Sequence, residues 1–220
     1  MLCTAVMAVF CGCSLSADAE GGELIKAARK EYTELDSAKV IMTNLESGEV
    51  EQTFTFKYDE KDVLMFSYYG KSESSEYAQY NNGAECFTYD NGEYSYLSKG
   101  DKDFLKYTRS VTHPQADQGL LIYDPSNITK AEVTDEEGVT HVHHEYDAEK
   151  IGAQAEVGKV TGFSADYYFD KDEKLLYFVE TTTAEDGGKE REYAYKVEIT
   201  RQNSVERVEN TTDQFKDKKE

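Results

Sequence analysis

The residues best suited to chemistry are the histidines of the stretch His141-Val142-His143-His144. Successive side chains of a β-strand point to opposite faces, so His141 and His143 would share one face of a strand. Two imidazoles on one face are typical ligands of Zn²⁺ or Cu²⁺. A third ligand would come from a nearby carboxylate: Glu132, Asp135 or Glu145. Such clusters in polar strands are more often a solvated surface, so the spacing alone predicts no metal site and no cofactor.

Other motifs for chemistry are weak or missing. Asp170, Asp172 and Glu173 offer oxygens to Ca²⁺, but their spacing lacks the D-x-[DN]-x-[DN]-G pattern and favours a simple turn. The sequence contains no G-x-S-x-G, no H-E-x-x-H and no phosphate-binding glycine loop. Carboxylate pairs such as Glu136-Glu137 carry no weight among 44 acidic residues. We therefore expect no enzymatic activity and no catalytic residue.

The N-terminal stretch indicates export and a lipid anchor. The uncharged run up to residue 12 is too short for a permanent transmembrane helix and is typical of the apolar part of a signal peptide. Phe10-Cys11-Gly12-Cys13 resembles a bacterial lipobox, which implies acylation of Cys13. Residues 1–12 are then a signal peptide, and residues 13–22 are a flexible lipidated tether. The alternatives are a plain secretion signal cut near Ala17-Asp18-Ala19 or a buried helix.

Composition describes a folded and strongly acidic chain. The 220 residues include 24 Lys and Arg against 44 Asp and Glu, for a net charge of −20. This charge repels phosphate backbones, so we expect no nucleic-acid partner. The 17 tyrosines and 10 phenylalanines favour strands rather than a disordered acidic tail. With Cys13 acylated and the signal peptide removed, Cys86 would be the one remaining cysteine, and its apolar setting indicates a buried thiol.

The elements that position these residues are mainly strands. Apolar residues at helical spacing predict one helix over residues 23–36, followed by strands joined through short loops. Asp90-Asn91-Gly92 is a strong hairpin signal, and β-type alternation is clear in Val50, Phe54, Phe56 and Tyr58. Residues 110–127 form a long connection, either functional or a plug closing the open end of the sheet. The segment 203–220 is predicted to be a frayed tail.

This order resembles the LolA/LppX-like superfamily of lipoprotein carriers and lipid-binding lipoproteins. The resemblance rests on the helix from Glu23 through Tyr32 and Leu35, and on the late hairpin Tyr167-Tyr168-Phe169-Asp170-Lys171-Asp172-Glu173-Lys174-Leu175. It implies a mainly β (α+β) fold: a strongly curved antiparallel half-barrel of about 10–11 strands with an N-terminal helix packed on it. We expect one such domain over residues 23–202.

The predicted function follows from the lipobox and from the resemblance to this superfamily. We expect a lipoprotein anchored to the extracytoplasmic face of the cell membrane, which binds a lipid or other apolar ligand without catalysis. Aromatic side chains on adjacent strands would line its cavity: Phe54, Phe56, Phe66, Tyr68, Phe163 and Tyr167. The alternative is a tethered interaction or sensor module whose half-barrel is filled by its own side chains. That module would bind a protein or cell-wall component through its acidic outer surface.

Overall fold

The computed structural model describes residues 19–58, 64–72, 74–102, 104, 120–153, 155 and 158–218. Within these ranges the chain forms one α-helix, eleven strands and a C-terminal 3₁₀ helix. The elements are α1 (Gly22–Thr33), β1 (Ser37–Asn44), β2 (Val50–Tyr58), β3 (Leu64–Lys71), β4 (Glu76–Asn81), β5 (Glu85–Asp90), β6 (Glu93–Ser98), β7 (Ile128–Glu136), β8 (Val139–Tyr146), β9 (Lys159–Phe169), β10 (Leu175–Asp186), β11 (Lys189–Thr200) and the 3₁₀ helix Thr211–Lys218. The predicted signal peptide and Cys13 lie outside the described residues.

All eleven strands belong to one antiparallel sheet. Their order is β6-β5-β4-β3-β2-β1-β11-β10-β9-β8-β7, so two meanders meet where β1 pairs with β11. The edges β6 and β7 do not pair with each other, and the sheet stays a curved, unclosed half-barrel. The predicted fold class is confirmed. No helix in the described part of the chain has the length and apolar character needed to cross a bilayer.

Helix α1 lies across the concave face of the sheet, as predicted. Gly21, just before it, has a φ of +76°, and a Cβ at this position would lie 2.5 Å from the Val142 side chain. Only glycine suits both the left-handed backbone and this close approach. At the other end of α1 the Tyr32 ring meets Phe56 edge-on, with ring centroids 5.9 Å apart. The helix therefore spans the half-barrel from β8 to β2.

Two local predictions from sequence are confirmed. In β2, Phe54 and Phe56 are buried and Thr55 between them is only partly buried. Of the other two residues predicted for this face, Tyr58 is partly buried and Val50, at the start of the strand, is exposed. Asn91 and Gly92 both have positive φ, 46° and 100°, as a two-residue turn between β5 and β6 requires.

The C-terminal segment corrects the prediction of a frayed tail at 203–220. Val205, Val208 and Phe215 are buried, and the Phe215 ring stacks on Tyr89 with centroids 3.9 Å apart and planes 4° apart. Thr211 in the same segment donates a hydrogen bond to the Tyr68 carbonyl, at 3.0 Å. The reason is that the convex face of β3–β5 carries aromatic rings. Covering them offsets the entropy lost when a mostly polar segment is ordered.

The long connection is described from residue 120 onward, and residues 110–119 lie outside the described part. Leu121 is fully buried in the core. The carbonyl of Ile122 accepts hydrogen bonds from the hydroxyls of Tyr146 and Tyr167, and the Tyr123 carbonyl accepts one from Arg29. This end of the connection packs into the half-barrel, which supports the plug interpretation for residues 120–123.

Candidate functional site

The concave face has two halves along the strand direction. The half under α1 is a packed core that includes the fully buried Phe178 and Tyr167, which are cross-strand partners. Four residues further along these two strands, Thr182 and Phe163 point to the same face and are only partly buried. The half-barrel is therefore filled beneath α1 and more open beyond it.

The structure brings the six predicted lining residues onto this one face. Four of them are buried in the core cluster under α1: Phe54, Phe56, Phe66 and Tyr167. Tyr68 and Phe163 are partly buried and pack against the border of that cluster. The Tyr68 hydroxyl donates a hydrogen bond to the Gln52 carboxamide oxygen, 3.0 Å away. Only these two of the six face the open half.

A cleft of about 1050 Å³ lies at the end of the sheet beyond this border. It is formed by the β1–β2 turn, the end of β3 and the beginning of β11, and its lining includes Leu45, Val50, Lys71, Tyr193 and Tyr195. The volume matches the upper range of small-molecule sites, about 300–1,000 Å³. Leu45 and Val50 are 49% and 50% exposed at its rim. An apolar ligand would cover them.

Tyrosines of β11 connect the cleft with the concave face, and sequence reasoning did not place them in a site. Tyr195 pairs with Glu180, and Tyr193 pairs with Thr182, so both point to the concave side. The Tyr193 hydroxyl is buried and has no hydrogen-bond partner among the described residues. The alternation of these tyrosines in the sequence indicated that they share one face of a strand. The sequence did not indicate that this strand, β11, lies at the centre of the sheet.

Glu180 is an acidic residue on the concave wall, in phase with Phe178 and opposite Ala165 and Tyr195. Burial raises the pKa of its carboxyl group from 4.5 to about 7. Burial, and to a smaller extent the charge of Glu180, also raises the pKa values of the Tyr146 and Tyr167 hydroxyls. Sequence reasoning missed Glu180 because a single glutamate in a strand is usually solvated.

Replacing Glu180 with glutamine is expected to stabilise the protein at pH 8 by on the order of 2 kcal/mol. The folded state holds a proton on Glu180 more tightly than the unfolded state does, so the contribution of Glu180 to wild-type stability falls as pH rises from 4.5 to 7. The difference between Glu180→Gln and wild type should therefore appear over this interval and vanish below it. Urea unfolding of both proteins at pH 4.5 and pH 8 measures it. A difference that does not change with pH would contradict this account.

The histidines divide between the two faces, as strand alternation predicts. His144 points to the concave side, where its Nε2 lies 2.7 Å from the Glu20 carbonyl oxygen, and burial lowers its pKa. His141 and His143 share the convex face with Asp166 of β9. Asp166, the carboxylate in contact with both histidines, was not among the three carboxylates considered from the sequence. Of those three, Glu145 lies 3.5 Å from His143 Nε2, Glu132 is the cross-strand partner of His143 in β7, and Asp135 pairs with Thr140 and points to the other face.

The acidic hairpin after β9 is a turn, as expected. One oxygen of Asp170 accepts hydrogen bonds from the backbone N–H groups of Asp172 and Lys174, at 2.8 and 2.9 Å. The same groups lower the pKa of Asp170. These hydrogen bonds explain why an aspartate stands at position 170: its side chain stabilises the turn.

Comparison with solved structures supports the class of fold, a curved and unclosed antiparallel half-barrel. The chain is similar to the crystal structure of LprF from Mycobacterium bovis, with a TM-score of 0.50 over 87% of this chain and 96% of LprF. The sequences are 11% identical, so the likeness concerns the fold alone. No protein-family model matches the chain. None of the curated protein sequences matches it.

Proposed function

We propose that this protein is a membrane-anchored extracytoplasmic lipoprotein that binds a lipid or other apolar ligand without catalysis. The ligand lies in the open half of the concave face and continues into the cleft beside Tyr193 and Tyr195. Cys13 carries the lipid anchor. Burial of apolar area drives binding, at about 25 cal/mol per Å².

The observation that carries the proposal is the incomplete filling of the half-barrel. Helix α1 covers the face as far as Phe56 and Tyr167, while Tyr68 and Phe163 at the border remain partly exposed. The exposed Leu45 and Val50 lie at the rim of the cleft, at the outer end of the proposed ligand site. The LolA-like fold adds support, since a curved sheet open at one end provides a concave surface.

Phe163→Asp is expected to weaken binding at least tenfold, because it places a charge where apolar ligand surface would be buried. The matched control is Ser164→Asp, which adds the same charge to the next residue on the convex face. Titration with an NBD-labelled acylglycerol, a neutral probe compatible with the acidic protein, measures both affinities.

Equal affinities for Phe163→Asp and Ser164→Asp would contradict the assigned site. Absence of saturable binding by the wild type would contradict ligand binding itself. The packed core around Phe56 would then favour the tethered interaction module. Circular dichroism of each variant shows whether the sheet is intact.

A further inference from the structure

We propose that the convex face of β8 and β9 holds a site for a divalent transition-metal ion of the Zn²⁺ type. Its ligands are His141, His143 and Asp166, whose donor atoms lie within 4.8 Å of one another. The site is on the opposite face of the sheet from the proposed ligand site, which lies in the open half of the concave face. It does not depend on the proposed function.

The donor atoms already converge on one point. His141 Nε2 lies 2.7 Å and His143 Nδ1 lies 2.8 Å from the same oxygen, Oδ1 of Asp166. Ligand atoms around a tetrahedral Zn²⁺ are roughly 3.3 Å apart, given metal–ligand distances near 2.0–2.1 Å. Each histidine–Asp166 contact would lengthen by about half an ångström to admit the ion. The two imidazole nitrogens, which lie within 4.8 Å of each other, would also have to come to roughly 3.3 Å apart.

The surroundings hold these side chains in position. The His141 ring stacks on Tyr168, with centroids 4.6 Å apart and planes 4° apart, and Tyr168 stacks in turn on Tyr177. His143 presents its second nitrogen, Nε2, to the Glu145 carboxylate at 3.5 Å. A carboxylate that orients the far nitrogen of a metal-bound histidine is a recurring feature of zinc sites.

Charge and access also suit a cation. The side chains of His141, His143 and Asp166 are 31%, 22% and 20% exposed, so an ion can reach them from solvent. Glu145 and Glu132 lie beside them and share Lys130 as an ion-pair partner. Two carboxylates against one ammonium leave the local field negative.

The types of ligand atom determine which metal ions this site can bind. Two imidazoles and one carboxylate suit Zn²⁺, Cu²⁺ or Ni²⁺, whereas Ca²⁺ and Mg²⁺ prefer oxygen ligands. Three protein ligands leave a fourth tetrahedral position for water or a donor from another molecule. The strands on both sides of β8 fix the backbone beneath the histidines.

The test is calorimetric titration of the untagged, EDTA-treated protein with Zn²⁺, with Mg²⁺ in parallel. We expect one Zn²⁺ per chain and no saturable Mg²⁺ binding. Asp166→Asn, which keeps the shape of the side chain, and His143→Ala should each weaken Zn²⁺ binding at least tenfold. Glu145→Gln should weaken it about tenfold, as loss of an orienting carboxylate does. Asp135→Asn is the matched control and should bind as the wild type does.

Two results would overturn the proposal. One is the absence of saturable Zn²⁺ binding in the wild type. The other is an Asp166→Asn affinity equal to that of Asp135→Asn. Visible absorption of the Co²⁺-loaded protein gives a second measurement, since loss of a ligand changes the spectrum even where the affinity change is small. Circular dichroism verifies that the His143→Ala variant is folded.

Discussion

Replacing Phe56 with alanine is expected to lower the free energy of unfolding by about 4 kcal/mol. Phe56 is fully buried at the point where α1 crosses the sheet. Its ring contacts Tyr32 of the helix and stacks on Phe54, with centroids 5.9 and 5.7 Å away. Alanine would leave a cavity between two elements that have little freedom to close it. Urea unfolding followed by circular dichroism measures the loss.

Phe87→Ala is the control for this substitution. Phe87 is a partly buried aromatic residue of β5, on the convex face, and its ring lies 5.1 Å from that of Tyr96. The same atoms are removed, but solvent can fill the space, so we expect a clearly smaller loss. Equal losses for the two variants would contradict the account of a core centred under α1.

Cys13→Ser is expected to move nearly all of the protein from the membrane fraction to the soluble extracytoplasmic fraction. The lipobox interpretation places two acyl chains on the Cys13 sulfur, and each buried CH₂ contributes about 0.8 kcal/mol to membrane binding. Serine has nearly the same size but cannot form the thioether. Fractionation together with the intact mass of the mature chain measures both location and modification.

Cys11→Ser is the control for the anchor, because Cys11 lies two residues before the proposed site, within the predicted signal peptide. It should leave the protein in the membrane fraction with its lipid mass. Retention of Cys13→Ser at the membrane would contradict the assignment. An unmodified wild-type protein whose intact mass corresponds to an N-terminus near Ala19 would instead support the plain secretion signal.

Local patterns were sufficient to predict most of the fold. Alternation in β2 identified the buried face, and Asn91-Gly92 identified the hairpin, because each depends on residues adjacent in sequence. The same alternation predicted that His141 and His143 share one face of β8, which the structure shows to be the convex face. Such features need no knowledge of which strands are neighbours.

The features that were missed depend on contacts between distant segments. Asp166 meets His143 only through the register of β8 against β9, which no spacing in the sequence reveals. Phe215 is one aromatic residue in a charged segment, and its burial depends on Tyr89 more than 120 residues earlier. Of the six aromatic residues predicted to line a cavity, four lie in the core and two face the open half of the concave face. This division likewise depends on where α1 crosses the sheet.

The central claim is that the open half of the concave face binds an apolar ligand. Native mass spectrometry of the protein, purified from a membrane-containing host and followed by solvent extraction, tests it most directly. The account predicts one co-purified lipid per chain in the wild type and in Ser164→Asp, and its loss in Phe163→Asp. A clean ligand-free mass for the wild type, with no uptake of added lipid, would contradict the claim.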